Sequence, residues 1–184
     1  MSDTTRLRLV GLSILAAFLL FGGGQALMQS GSGWLGLILC LINSVAVVII
    51  GVLIHPVIAR TAPRTADIYR AARFAEALLL AISVLALQGL LDVPSISSES
   101  FYRLAMIALG LGSIPLCLWL LRTKLVPTAL GALGLIGYLC LVAAMVVSAL
   151  GYETTSLALL LPGTAFEVIF GVLLVAGRMR LRPV

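Results

Sequence analysis

Six apolar stretches, each about as long as a bilayer is thick, restrict this chain's fold more than any other feature. A hydrocarbon core of about 30 Å needs about 20 residues of helix to cross it. Residues 9–28, 34–54, 71–91, 102–121, 128–150 and 157–177 each meet that requirement. They use most of the 184 residues, so one integral membrane domain over 1–184 is expected, with no soluble appendage. None of the stretches alternates polar and apolar residues along short strands, as a transmembrane barrel requires. The expected fold class is therefore all-α: a polytopic transmembrane helical bundle of six helices. Composition points the same way. Hydrophobic residues make up 61% of the chain and charged residues 10%, with a mean hydropathy of +1.20. A soluble domain carries about 25% charged residues. One this small lacks the interior volume to hide so much apolar surface. Soluble, disordered and fibrous readings are excluded.

The basic residues set an orientation. If six helices alternate, Arg6, Arg8, Arg60, Arg64, Arg70 and Arg73 fall on one side, together with Arg122, Lys124, Arg178, Arg180 and Arg182. Only Arg103 falls on the other, beside Asp92, Glu99 and Glu153. Short cytoplasmic loops carry the excess of Lys and Arg, so both termini are expected in the cytoplasm. One missed or extra helix would scatter this tally. Arg6 and Arg8 ahead of residues 9–21 and Gly24-Gln25-Ala26 also fit a cleaved leader; a retained first helix is the expectation. The net charge of +5 would suggest nucleic acid in a soluble protein. Here it serves topology, and no nucleic-acid partner is expected. The longest connections should be 55–70 on the cytoplasmic side, with Thr65-Ala66-Asp67 capping a helix, and 92–101 outside.

Ionisable groups in hydrocarbon cost about 2.5–3.5 kcal/mol each on insertion scales and persist when paired or facing a cavity. Arg73 and Glu76 are three residues apart on the third helix and share a face. Glu167 lies deep in the sixth helix. Asn43 sits near the middle of the second, and Gln25 toward the outer end of the first. Two readings stand side by side. In one, Arg73, Glu76, Glu167 and Asn43 form a buried site for a small ligand or ion. In the other, Arg73 clasps Glu76 or Glu167 and Asn43 caps the network, holding helices together and nothing more. Arg73 could also snorkel to the interface, because it opens the expected third span.

The remaining features are structural. Cys40, Cys117 and Cys140 are far apart within apolar runs and read as small buried thiols, with no disulfide or metal site. One histidine, His55, cannot build a haem or HExxH site. It should lie at the membrane interface. No cofactor is expected and no catalytic residue stands out. Gly22-Gly23-Gly24 reads as a packing point or hinge. Gly131, Gly134 and Gly137 read as a flat packing face. Pro115 and Pro162 should kink the fourth and sixth helices and free backbone carbonyls, the latter beside Glu167. Trp34 and Tyr102 fit an outer aromatic belt.

Three segments carry a resemblance. Arg73-Phe74-Ala75-Glu76 opens a leucine-rich span. Leu120-Leu121-Arg122-Thr123-Lys124-Leu125-Val126-Pro127 leads into Leu133-Gly134-Leu135-Ile136-Gly137. Leu161-Pro162 is followed by Phe166-Glu167. From the second helix onward the chain resembles the bacterial membrane family catalogued as domain of unknown function 4386. The resemblance implies a six-helix integral membrane protein of the bacterial plasma membrane, with Arg73, Glu76 and Glu167 as its polar signature. It implies a polar, often acidic, residue where Asn43 stands, and it implies no reaction. The expected partners are membrane lipids, with a small ligand or other membrane subunits besides. The expected function is ligand or ion binding in a transport-like or sensor role. The alternative is an accessory subunit of a larger membrane complex. A lipid-modifying enzyme is a third reading, requiring a pocket open to lipid with Arg73 at headgroup level.

Overall fold

The computed structural model describes residues 2–91 and 97–179. Asp92, Arg180 and Arg182, used in the charge tally, lie outside the described residues, as does the side chain of Glu153. The described residues form six helices: α1 (Asp3–Gln29), α2 (Gly33–Ala59), α3 (Pro63–Leu87), α4 (Ser98–Thr123), α5 (Thr128–Ala149) and α6 (Glu153–Val175). No strand occurs among the described residues. Five helices are long and apolar enough to cross a bilayer on their own. The exception is α3, whose first half carries Arg64, Asp67, Arg70, Arg73 and Glu76. It still measures roughly 38 Å at 1.5 Å per residue. Its polarity is turned inward: Arg73 and Glu76 are buried, while Ile68, Phe74 and Leu78 are exposed. A helix polar inside and apolar outside suits lipid as its solvent.

The bounds of α2 and α3 differ from the apolar windows. The α2 helix continues through His55 and Pro56 to Ala59, so the expected 55–70 loop shrinks to a few residues. A proline this close to a helix end removes one backbone hydrogen bond without breaking the helix. The α3 helix starts at Pro63, where the missing N–H costs nothing, and ends earlier than the window. Gly89, at φ +67°, closes it: Leu90 N–H reaches the Leu85 carbonyl and Gly89 N–H the Ala86 carbonyl, a Schellman termination that needs a left-handed residue. Asp67 does not cap the helix. It accepts from Arg70 at 3.1 Å and lies 2.9 Å from His55 Nε2, tying the start of α3 to the end of α2.

Each helix packs antiparallel on two neighbours, in the order α1–α2–α3–α4–α5–α6 and back to α1, so the bundle is a closed ring. Among the described residues, helices opposite one another have no close backbone approach. Small residues set the seams, as expected where lipid tails give apolar side chains no reason to associate. Gly24 meets Gly36 between α1 and α2. Gly112 meets Ala72 between α4 and α3. Gly137 meets Gly163 between α5 and α6, and Gly11 meets Gly171 to close the ring. The flat glycine face of α5 serves two neighbours: Gly131 lies against Leu121 of α4, and Gly134 against both Cys117 of α4 and Phe166 of α6. In the Gly22-Gly23-Gly24 run only Gly24 is a packing point; the other two face open space.

One end of the ring is basic. Arg6, Arg8, Arg60, Arg64, Arg70, Arg122, Lys124 and Arg178 lie toward it, and an Arg60–Asp3 ion pair joins α2 to α1 there. Arg73 does not belong to this set. It is ten residues into α3, about 15 Å along the axis, so it neither snorkels nor counts as a loop charge.

Candidate functional site

A ring of six helices whose opposite members do not touch leaves its axis to the side chains. Toward the basic end they fill it: Tyr69, Ile54, Ile58, Leu120, Phe166 and Leu174 are almost wholly buried. Phe166 lies edge-on to Tyr138 and stacks on Phe170, with ring centroids 5.7 and 5.3 Å apart. At mid-depth the filling stops. A chamber of about 280 Å³ remains, bordered by residues of all six helices. Ala17, Gly22 and Gly163 on its wall are too small to reach the axis.

The chamber floor is an ionic network across the ring. Arg73 Nε donates to Tyr69 Oη at 2.8 Å, and its guanidinium sits 5.1 Å from that ring's centroid. Arg73 Nη1 donates to Glu76 Oε2 at 3.0 Å. Nη2 donates to Glu167 Oε1 at 3.5 Å, and Tyr138 Oη donates to the same oxygen at 2.8 Å. Because α3 and α6 stand opposite in the ring, the Arg73–Glu167 contact spans the axis. Gly51 allows it: a Cβ there would stand 3.0 Å from Arg73 Cβ, so α2 would press α3 out of place. The Arg73 and Glu76 side chains are 4% and 5% exposed, whereas Glu167 is 18% exposed and faces the chamber. One guanidinium against two carboxylates leaves an excess negative charge when all three are ionised.

Toward the opposite end a second contact crosses the ring. Phe21 of α1 stacks on Tyr102 of α4, centroids 5.7 Å apart and planes 9° from parallel. Tyr102 is thus part of the chamber roof and not of an outer aromatic belt. Trp34, 69% exposed at the start of α2, keeps the belt position. Between roof and floor the wall is mainly apolar, with Val47, Leu80, Met106, Leu109, Leu141 and Leu160. The mouth is lateral. Phe18 and Gly22 of α1 and Thr164 of α6 border the chamber and are also exposed on the outside of the bundle. The α1–α6 seam is tight at Gly11 and Gly171 near the basic end. Pro162 lies two residues before Thr164 in this stretch of α6.

Arg73, Glu76, Glu167 and Asn43 all border this chamber; Gln25 does not. Asn43 does not cap the ionic network. It is 3% exposed, and its Oδ1 has no hydrogen-bond partner. An unpaired buried amide oxygen costs about 1–3 kcal/mol. Sequence reasoning missed Tyr69, Tyr138, Phe21 and Tyr102. Tyr69 had a signal, since it lies four residues before Arg73 on the same helix face. Tyr138 had a weaker one: a phenol within an apolar span needs a partner for its hydroxyl. No group of three or more His, Cys, Asp or Glu side chains suited to a metal occurs among the described residues.

A family model, Domain of unknown function (DUF4386), matches residues 9–177. No curated protein and no solved structure matches the chain.

Proposed function

The chain belongs to the DUF4386 family, for which no reaction is assigned, and from that premise we propose that it binds a small, partly apolar molecule in the central chamber. The protein is membrane-embedded and helical. In this reading it lies in a bacterial plasma membrane with its basic end and both termini in the cytoplasm. Ligand enters sideways between α1 and α6, and occupancy serves transport or sensing. The observation that carries the reading is the chamber itself, with the Glu167 carboxylate facing it. Close-packed interiors leave few spaces larger than a water molecule, and this one is about 280 Å³.

A helix clasp in an accessory subunit is the second reading, favoured by the Arg73 bridge between α3 and α6. A clasp leaves the unfilled space without a role. A lipid-modifying activity would need Arg73 open to headgroups, whereas its side chain is 4% exposed and held by Tyr69, Glu76 and Glu167.

The mouth offers a test that spares the network. A Cβ on Gly22 meets nothing within 4 Å, and Gly22 borders the opening, so Gly22→Trp is the substitution chosen to fill it. Three probes of one size and different charge suffice: 2-phenylethanol, 2-phenylethylammonium and phenylacetate. At least one is expected to raise the melting temperature of the purified protein in mild detergent. Gly22→Trp should keep its own stability and lose that shift. If no probe shifts the native protein, or Gly22→Trp retains the shift, the chamber is not the binding site.

Orientation is tested separately. Lys124→Cys, in a background with Cys40, Cys117 and Cys140 replaced by alanine, is expected to resist an impermeant maleimide on intact cells. It should react after permeabilisation. Labelling of intact cells would reverse the topology.

A further inference from the structure

We propose that the ligand of this chamber is a small organic monocation bearing N–H donors, and that it binds in exchange for the one proton that neutralises the Arg73–Glu76–Glu167 cluster. The inference rests on the chamber-binding reading above and adds its chemistry.

Charge comes first. The groups facing the chamber floor are Arg73 and Glu76 of α3 and Glu167 of α6, with the phenols of Tyr69, Tyr138 and Tyr102. The buried Cys117 thiol is the remaining titratable group there. Neither α1 nor α2 brings a charge to the chamber; α2 brings Asn43. Fully ionised, the cluster is one negative charge out of balance in a low-dielectric wall, which a buried site does not sustain alone. Two species restore neutrality, a proton on one carboxyl or a cationic guest, and they exclude each other. Binding then follows RNH3⁺ + site–H → site·RNH3⁺ + H⁺, with the proton leaving to water through the mouth.

Hydrogen bonding comes second. The ionic group that faces the chamber is an acceptor: Glu167 is 18% exposed there. Arg73, the strong donor of the cluster, already spends bonds on Tyr69, Glu76 and Glu167. An anion would meet carboxylates and no free cation. An ammonium N–H finds the Glu167 carboxylate.

Shape comes third. The stacked pair of Phe21 and Tyr102 and the aliphatic wall suit an apolar body, and aromatic faces attract cations. A bare metal ion would find no cluster of ligands among the described residues.

Calorimetric titration of the full-length protein with 2-phenylethylammonium, in buffers of different ionisation enthalpy, counts protons released. About one per site is expected under this linkage. The infrared difference spectrum should lose a protonated-carboxyl stretch on binding. Glu167→Gln and Glu76→Gln each remove the excess charge. Each should weaken the cation about tenfold or more and release no proton, so that the ammonium loses its advantage over 2-phenylethanol. If 2-phenylethanol binds as tightly as the ammonium and no proton leaves, the chamber reading stands and the exchange is wrong. If the quaternary benzyltrimethylammonium binds as well as the primary ammonium, the N–H requirement is wrong. If no probe binds, both readings fall.

Discussion

Arg73→Met is expected to abolish accumulation of folded protein, and adding Glu76→Gln and Glu167→Gln to the same chain is expected to restore it. The single change removes the one cation shared by Glu76, 5% exposed, and Glu167, 18% exposed, and leaves both carboxyls without their ion-pair partner. Removing one partner of a buried pair costs about 3–5 kcal/mol, because the survivor is left uncompensated. Here there are two survivors, and total stabilities are only about 5–15 kcal/mol. The triple variant has no charge to compensate, and replacing a whole buried ionic group by neutral residues is often nearly neutral in stability. Arg73→Lys should fall between, since a compact ammonium cannot reach Tyr69, Glu76 and Glu167 together as a planar guanidinium does. The readouts are monodisperse yield in mild detergent and melting temperature. A well-folded Arg73→Met, or a triple variant no better than the single, would show that these three side chains do not act as one unit.

The same cluster marks how far local sequence carries. Arg73, Glu76, Glu167 and Asn43 were visible because a polar group in an apolar run is conspicuous. Six helices were visible because apolar length alone demands them. The placement of α3 was not, because a window chosen for apolarity slides toward 71–91 while the helix runs Pro63–Leu87. That slip moved Arg73 from mid-depth to an apparent interface. The ring closure was also beyond reach. It depends on Gly11 meeting Gly171 from opposite ends of the chain, and nothing local pairs them. Tyr102 shows the limit most plainly. An aromatic residue near a span end fits a lipid belt, and only the stack on Phe21 across the ring shows that it turns inward.

Seams that set the ring should then be as sensitive as the charges inside it, and Gly112→Ala tests the tightest. A Cβ at Gly112 would lie 2.0 Å from the Ala72 Cβ, far inside contact distance, so α3 and α4 must separate. Overpacking of this kind costs about 1–3 kcal/mol and occasionally more; a loss near the upper end is expected. Ala72 immediately precedes Arg73, so a shift of α3 also draws the guanidinium from Glu167, a contact already at 3.5 Å. The cation-dependent melting shift should fall with stability. The compensating change is specific. With Ala72→Gly, the nearest atoms to the new Cβ become the residue 72 Cα at 3.5 Å and the Ile68 carbonyl oxygen at 3.7 Å, which is ordinary contact. The Gly112→Ala/Ala72→Gly pair should therefore regain most of the lost stability together with binding. Gly22→Ala meets open space and should gain up to about 1 kcal/mol from helix propensity. If Gly112→Ala is as mild as Gly22→Ala, or Ala72→Gly fails to rescue it, the α3–α4 seam does not hold Arg73 over the axis of the ring.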